Sequence, residues 1–272
     1  MRHLLVIFII TTIAGCAMAQ NSSPPQSSSS PPPLVNPTGT ELAANSSVDQ
    51  VLDALDARGR GLSSFTADVT LGETDTAVGD TSTRSGKVLY QVKPGGDARI
   101  IVNFTTVDRA GKPTREQLIY LLDNGNLIER NYRTKNQVTR QVIKPGEKVN
   151  LLRLGEGPFP LPIGQPKEEV YKQFDVKKID APGKDDPSGT IHVQLIPKAG
   201  TRFARQFKTI DVWVDSKSHM PRRIATMDST ETTIRTTDLQ NVQVNPKLAD
   251  KDFSLENIDA KNWNLVNEKF RD

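Results

Sequence analysis

The sequence predicts a mostly β protein of α+β type, a curved antiparallel sheet or open barrel of about nine to eleven strands with two or three helices on one side. Three observations predict it. Short runs of alternating or β-rich residues recur from residue 65 to residue 238, most of them stopped by Gly, Pro, Asn or Asp. One stretch, 48–58, carries a helical apolar stripe two turns long, and a second, 167–174, is amphipathic but short. Two of the β-rich runs, 88–92 and 118–122, are apolar on both faces, so they need cover on two sides from a core, a helix or a cavity.

Taken in order, the elements follow from local pattern. Val48, Val51, Leu52 and Leu55 stand at i, i+3, i+4 and i+7, with Ser46 or Ser47 to cap the helix and Gly59 or Gly61 to stop it. A strand over 65–71 places Phe65, Ala67, Val69 and Leu71 on one face. Strands over 86–92, 98–104, 117–122, 127–132 and 137–143 continue an antiparallel meander, with turns at Pro94-Gly95-Gly96 and Asp123-Asn124-Gly125-Asn126. The segment 151–164 is apolar yet crowded with Pro and Gly, which a central strand or long helix does not tolerate, so it reads as a fixed loop against apolar surface. After the short helix over 167–174, strands resume over 190–197, 209–215, 222–227 and 231–238, with a hairpin connection at 215–221 closed by Pro221.

Ahead of the first helix the chain has a different character. Met1-Arg2-His3 precedes an apolar run, 4–13, about half of the ~20 residues a helix needs to cross a bilayer, and small residues follow from Ala14. This is the pattern of a secretory signal. Two cleavage readings stand: Ile13-Ala14-Gly15-Cys16 resembles a bacterial lipobox, with residues 1–15 removed and Cys16 lipidated, whereas Ala17-Met18-Ala19 offers a site that would release a soluble protein. The lipobox fits better because it needs a cysteine in register and has one. Residues 16–47 then form a Ser/Pro-rich tether, too poor in apolar residues to fold. Residues 48–272 remain as one domain.

Composition narrows the chemistry. A formal charge of +3 comes from 35 Lys and Arg interspersed with 32 Asp and Glu, which lacks the concentrated basic stripe of a nucleic-acid binder. The single cysteine lies ahead of the folded part, leaving no disulfide and no thiolate metal site there. His192 and His219 stand apart from any ligand spacing and read as ordinary sheet or surface residues. No nucleophile elbow, zincin helix, phosphate loop or dinucleotide fingerprint is present, so neither a catalytic residue, a metal nor a cofactor is assigned.

The collinear order of several weak motifs carries more. The helix is followed by Ser63-Ser64-Phe65-Thr66-Ala67-Asp68, then Gly86-Lys87-Val88-Leu89-Tyr90 with Lys93-Pro94 at its end. The turn Leu122-Asp123-Asn124-Gly125-Asn126-Leu127, the strand Leu195-Ile196-Pro197-Lys198-Ala199, Val214-Asp215 before Pro221, and Asn241-Val242 before Phe253 complete the series. Over 48–255 this order resembles the LolA/LolB superfamily of lipoprotein carriers and acceptors.

The resemblance implies an unclosed antiparallel β-barrel with helices as a lid or plug, a monomer that binds lipoprotein acyl chains or lipid without catalysis, for lipoprotein sorting or transfer in the periplasm. It implies a cavity wall at Leu89, Ile100, Val102, Phe104, Leu118, Tyr120, Leu122 and Trp213, and a lid and latch at Lys93, Leu151, Leu152, Leu154 and Phe159. Lys93 replaces the arginine of the family pattern and lacks its bidentate fork, which implies a weaker latch. A lipid on Cys16 implies an anchored acceptor in the outer membrane, since Ala17 is not the aspartate that favours inner-membrane retention. The same fold also serves envelope sensing or interaction proteins and an enzyme, and sensing stands as the second reading.

Overall fold

The computed structural model describes residues 40–144, 151–153, 163–181 and 183–269. The secretory pattern, Cys16 and the tether as far as residue 39 lie outside them, as do Leu154 and Phe159.

Helix α1 (Val48–Arg60) begins on a reciprocal capping box: Ser47 Oγ accepts from the Gln50 N–H, and Gln50 Oε1 accepts from the Ser47 N–H. Asp49 in its first turn and Arg58 and Arg60 in its last complement the helix dipole. A meander follows: β1 (Ser64–Asp75), β2 (Thr81–Val92), β3 (Ala98–Arg109), β4 (Lys112–Asp123), β5 (Asn126–Asn131) and β6 (Asn136–Gln141). The β4–β5 turn puts Asn124 (φ 49) and Gly125 (φ 75) in the left-handed region, the reason for an Asn-Gly pair there. A short helix α2 (Lys167–Gln173) leads into β7 (Phe174–Ile179), β8 (Thr190–Pro197), β9 (Phe207–Asp215), β10 (Pro221–Asp228) and β11 (Thr233–Val244), and β12 (Asn264–Glu268) ends the described chain.

The twelve strands of the described residues form one sheet in the order β12-β6-β5-β4-β3-β2-β1-β11-β10-β9-β8-β7. It does not close on itself. Two sequential meanders are sewn together by the β1–β11 pair, which sets Phe65 opposite Val244. Every pairing is antiparallel except that of β12 with β6.

Alternation divides the side chains between two apolar layers. The inner layer unites Phe65, Ala67 and Val69 of β1, Val88 and Tyr90 of β2, and the apolar faces of β3, β4 and β8 to β11 with Val51, Leu52 and Leu55 of α1. On the outer face, Ile101, Ile119 and Leu121 form a smaller cluster with Phe253, joined by Leu89, Ile128, Tyr132, Leu248 and Leu255. Its cover is the chain after β11, which runs across the outer face as a strap with 3-10 turns at Asp250–Phe253 and Ala260–Asn262. Arg99 pins this strap, with its guanidinium 4.1 Å from the Phe253 ring centre and bonded to Asp250 at 2.6 Å. Farther along, Arg130 donates to the Glu256 carbonyl, and Trp263 meets Tyr132 edge-on at 5.2 Å.

The sequence therefore indicates the correct fold class but misses two strands, β7 and β12, against about nine to eleven expected. β1 to β4 each run to 12 residues, longer than their apolar patterns, because the hairpins extend as polar ladders beyond the core. The helix expected over 167–174 stops at Gln173, and Phe174 is already extended.

Candidate functional site

The apolar inner face is the feature around which the expected site residues gather. Ile100, Val102 and Phe104 of β3 and Leu118, Tyr120 and Leu122 of β4 share that face, with Phe104 and Tyr120 meeting edge-on at 6.5 Å. Leu89 and Trp213 do not. Leu89 lies between Val88 and Tyr90, and the two-residue period turns it outward onto the strap cluster. Trp213 lies between Val212 and Val214 and likewise faces out, stacked on His192 at 4.0 Å with the Arg223 guanidinium 5.7 Å from its ring.

The inner layer is covered by elements outside the sheet. Leu151 and Leu152 are fully buried within it, as is Ile163, whose N–H donates to the Leu152 carbonyl. Arg153 Nε donates to the Gly164 carbonyl, and the Gly164 N–H donates to the Leu55 carbonyl of α1. Helix and segment touch backbone to backbone here: a Cβ on Gly59 would lie 2.2 Å from Gly164 Cα. A polar seam then fastens α2 to α1, with Tyr171 Oη donating to Asp49 at 2.6 Å and Lys167 Nζ reaching Asp53 at 2.8 Å. Burial and the Asp49 bond push the Tyr171 phenol up to about 12.

Lys93 has a different part from the expected latch. Its ammonium donates to Asp123 Oδ1 and Asn124 Oδ1, both at 2.7 Å, and so ties the end of β2 to the β4–β5 turn. The contacts that hold cover to helix are those of Gly59, Gly164, Arg153 and the α1–α2 seam. Nothing in their sequence spacing marks them, because they join segments far apart in the chain.

Away from α1 the inner face becomes charged. Arg235 of β11 pairs with Glu73 of β1 at 2.9 Å, and Arg140 of β6 reaches Glu129 at 3.5 Å and Glu268 at 2.8 Å. Burial pushes the Glu129 carboxyl above its ordinary range, and burial followed by the Glu129 charge drives the Tyr120 phenol far up. Arg84, opposite Leu71 on β2, reaches the same group of charges, and its Nε is buried without an acceptor among the described residues.

His219 occupies a second unusual place, at the β9–β10 hairpin. It is 7% exposed, takes a left-handed φ of 56°, and its Nε2 has no partner among the described residues. Arg58 of α1, also buried, donates to the adjacent Ser218 carbonyl at 2.8 Å. Burial first, then the Arg58 charge, hold the His219 pKa below the usual imidazole range.

What the arrangement offers chemically is apolar contact with a fringe of charge. Among the described residues no group of three or more His, Cys, Asp or Glu side chains is placed to hold a metal ion. Among them, too, no helix is long and apolar enough to cross a membrane.

No protein-family model matches the chain, and no curated protein matches it in sequence. In fold it is similar to several solved structures. An uncharacterized conserved protein from Thermus thermophilus is 12% identical, with 80% of this chain and 98% of that one covered and a TM-score of 0.45. The complex of Pseudomonas aeruginosa MucA and MucB is matched at 12% identity over 76% of this chain and 60% of that one, with a TM-score of 0.42. A LolA superfamily protein from Nitrosomonas europaea is matched at 13% identity over 77% and 98%, with a TM-score of 0.33.

Proposed function

We propose that this chain is a non-catalytic lipid-binding protein of the bacterial envelope that shelters an acyl chain against the inner face of its sheet. The observation that carries the reading is that a continuous apolar face, from β4 through β1 to β8, is closed by pieces that belong to no strand. Val51, Leu52, Leu55, Leu151, Leu152 and Ile163 are chemically what an acyl chain is, so cover and ligand are interchangeable there.

Magnitudes support exchange. A sixteen-carbon chain gains roughly 12 kcal/mol on full burial at about 0.8 kcal/mol per methylene. Uncovering the three α1 side chains forfeits roughly 5–9 kcal/mol at about 1.5–3 kcal/mol each. A long acyl chain therefore displaces the helix, and a short one does not.

The rest of the reading concerns residues ahead of 40. Cys16 carries a lipid, and the protein stands in the periplasm on the outer membrane, taking part in lipoprotein sorting or transfer; the tether expected over 16–47 ends by residue 40, since the Leu42 N–H donates to the Ser216 carbonyl and Leu42 packs against the inner layer. Intact-mass measurement of the chain purified from envelopes tests both parts. A mass increment on Cys16 and a co-purifying lipid are expected, and a bare chain cleaved after Ala19 with no lipid would sink the reading.

β12 favours a second reading, an interaction or sensing protein on the same fold. Its Leu265 and Val266 are 42% and 36% exposed although they point to opposite faces, and its outer edge is unpaired in the sheet order. Affinity capture that recovers one membrane protein and no lipid would favour it.

A further inference from the structure

We infer that the charged end of the inner face, centred on Arg84, receives an anionic head group, so that the preferred ligand is an acyl chain ending in a carboxylate or phosphate. The inference rests on the lipid-binding reading above and adds the chemistry of the head.

Among the cations gathered there, Arg84 alone lacks a carboxylate. Arg235 is matched by Glu73, and Arg140 is shared by Glu129 and Glu268, whereas Arg84 has no carboxylate within 4.0 Å among the described residues. Its Nε is buried with no acceptor, and such orphaned buried donors are few in folded proteins. A water molecule would satisfy the N–H alone; an anionic head group satisfies it and adds the direct charge contact that Arg84 lacks, and the planar guanidinium holds it through two parallel bonds. The Tyr120 hydroxyl, which feels the Arg84 charge, has no hydrogen-bond partner among the described residues, and burial followed by Glu129 raises its pKa, which favours the protonated, donating form. Glu73, Glu129 and Glu268 oppose an anion there, and each already lies against Arg235 or Arg140.

The apolar path from this point is continuous. The β1–β2–β3 register aligns Leu71, Arg84 and Val107 in one row; Leu71 packs against the inner layer, and β3 runs back past a bulge at residue 105 through Phe104 and Val102 to Ile100 of that layer. Seven strand positions at ~3.4 Å give ~24 Å, enough to lay out a sixteen-carbon chain at full extension. The head at Arg84 and a tail along β3 thus belong to one ligand.

Titration of the purified full-length chain with palmitate, hexadecanol and inorganic phosphate separates the possibilities, with Arg84→Gln and Arg84→Lys as variants. Palmitate is expected to bind about tenfold or more tighter than hexadecanol, as a charge-assisted hydrogen bond to a buried partner implies. Arg84→Gln is expected to abolish that preference while leaving hexadecanol unchanged, and Arg84→Lys to restore part of it. Equal affinity for the two amphiphiles, or an Arg84→Gln loss shared by both, overturns the inference and leaves lipid binding standing. Phosphate alone binding as tightly as palmitate overturns it in favour of a free-anion site. No binding of either amphiphile overturns the lipid-binding reading with it. Urea unfolding of each variant excludes a folding defect as the cause.

Discussion

Replacing Gly59 by alanine isolates the contact between α1 and its cover. On a free helix the change helps, because alanine is about 1 kcal/mol better than glycine in a helix interior. In this fold the added Cβ meets Gly164 Cα at 2.2 Å, Gly164 N at 2.3 Å and the Ile163 carbonyl carbon at 3.0 Å. All three are backbone atoms, so no rotamer change relieves the overlap and helix or segment must move bodily. Overpacking of this kind costs about 1–3 kcal/mol and here lies at the upper end, which leaves a net loss of about 2 kcal/mol after the helix gain. The ceiling is release of α1, roughly 5–9 kcal/mol from three apolar side chains. Gly61→Ala is the control, since its Cβ meets nothing closer than 3.8 Å and φ there is −95°. Urea unfolding followed by circular dichroism should show a lower midpoint for Gly59→Ala and an unchanged or slightly higher one for Gly61→Ala. A Gly59→Ala chain as stable as the parent would show that α1 does not dock on residues 163–164, and the cover described for the inner face would fall with it.

Three further outcomes are expected. Stability should decline as pH falls through ~6.5, the ordinary imidazole value, because His219 is held neutral in the folded chain by burial and by Arg58 and takes up a proton more readily when unfolded. His219→Asn, which tolerates the left-handed backbone, should flatten that decline, and parallel pH profiles of the two chains would exclude His219 as its source. Phe253→Ala should loosen the strap at a cost of up to about 3 kcal/mol and expose the chain after residue 245 to limited proteolysis; unaltered cleavage would mean that the strap is held elsewhere. Lys93→Met should cost about 1 kcal/mol in stability and leave fatty-acid uptake unchanged, whereas altered uptake would restore Lys93 to the latch.

The elements that pack by period were legible in the sequence. α1 with its serine cap, the Asn124-Gly125 turn, the hairpin closed by Pro221 and the inner set from Ile100 to Leu122 all follow from local pattern. Two-sided apolarity in β2 and β4 was legible as well, but not its cause: the second cover is the strap, and nothing around Asp250 and Phe253 announces a segment that folds back onto Leu89, Ile101 and Ile119. The resemblance implies Leu89 and Trp213 as wall residues, whereas strict alternation turns both outward. Nothing in the sequence marks Arg84, because the polar run 81–85 carries no periodic signal, although it is a strand between two others. β12, short and exposed throughout, gains its conformation from β6 rather than from its own residues.

The seam between β1 and β11 sets the order in which the molecule can be made. Ser63 and Asn245, which bond across one end of it, stand 182 positions apart. β1 to β6 can zip as successive hairpins while the chain emerges, each closing a short loop at little entropic cost. β1 nevertheless keeps one edge open until β11 arrives, and the apolar row Phe65, Ala67 and Val69 waits for half of its partners. Such an edge invites pairing with other chains, so the half-made sheet is the vulnerable species in the life of this protein. Completion depends on the last strands delivered, and a chain interrupted before residue 233 keeps both its ladder and its core open.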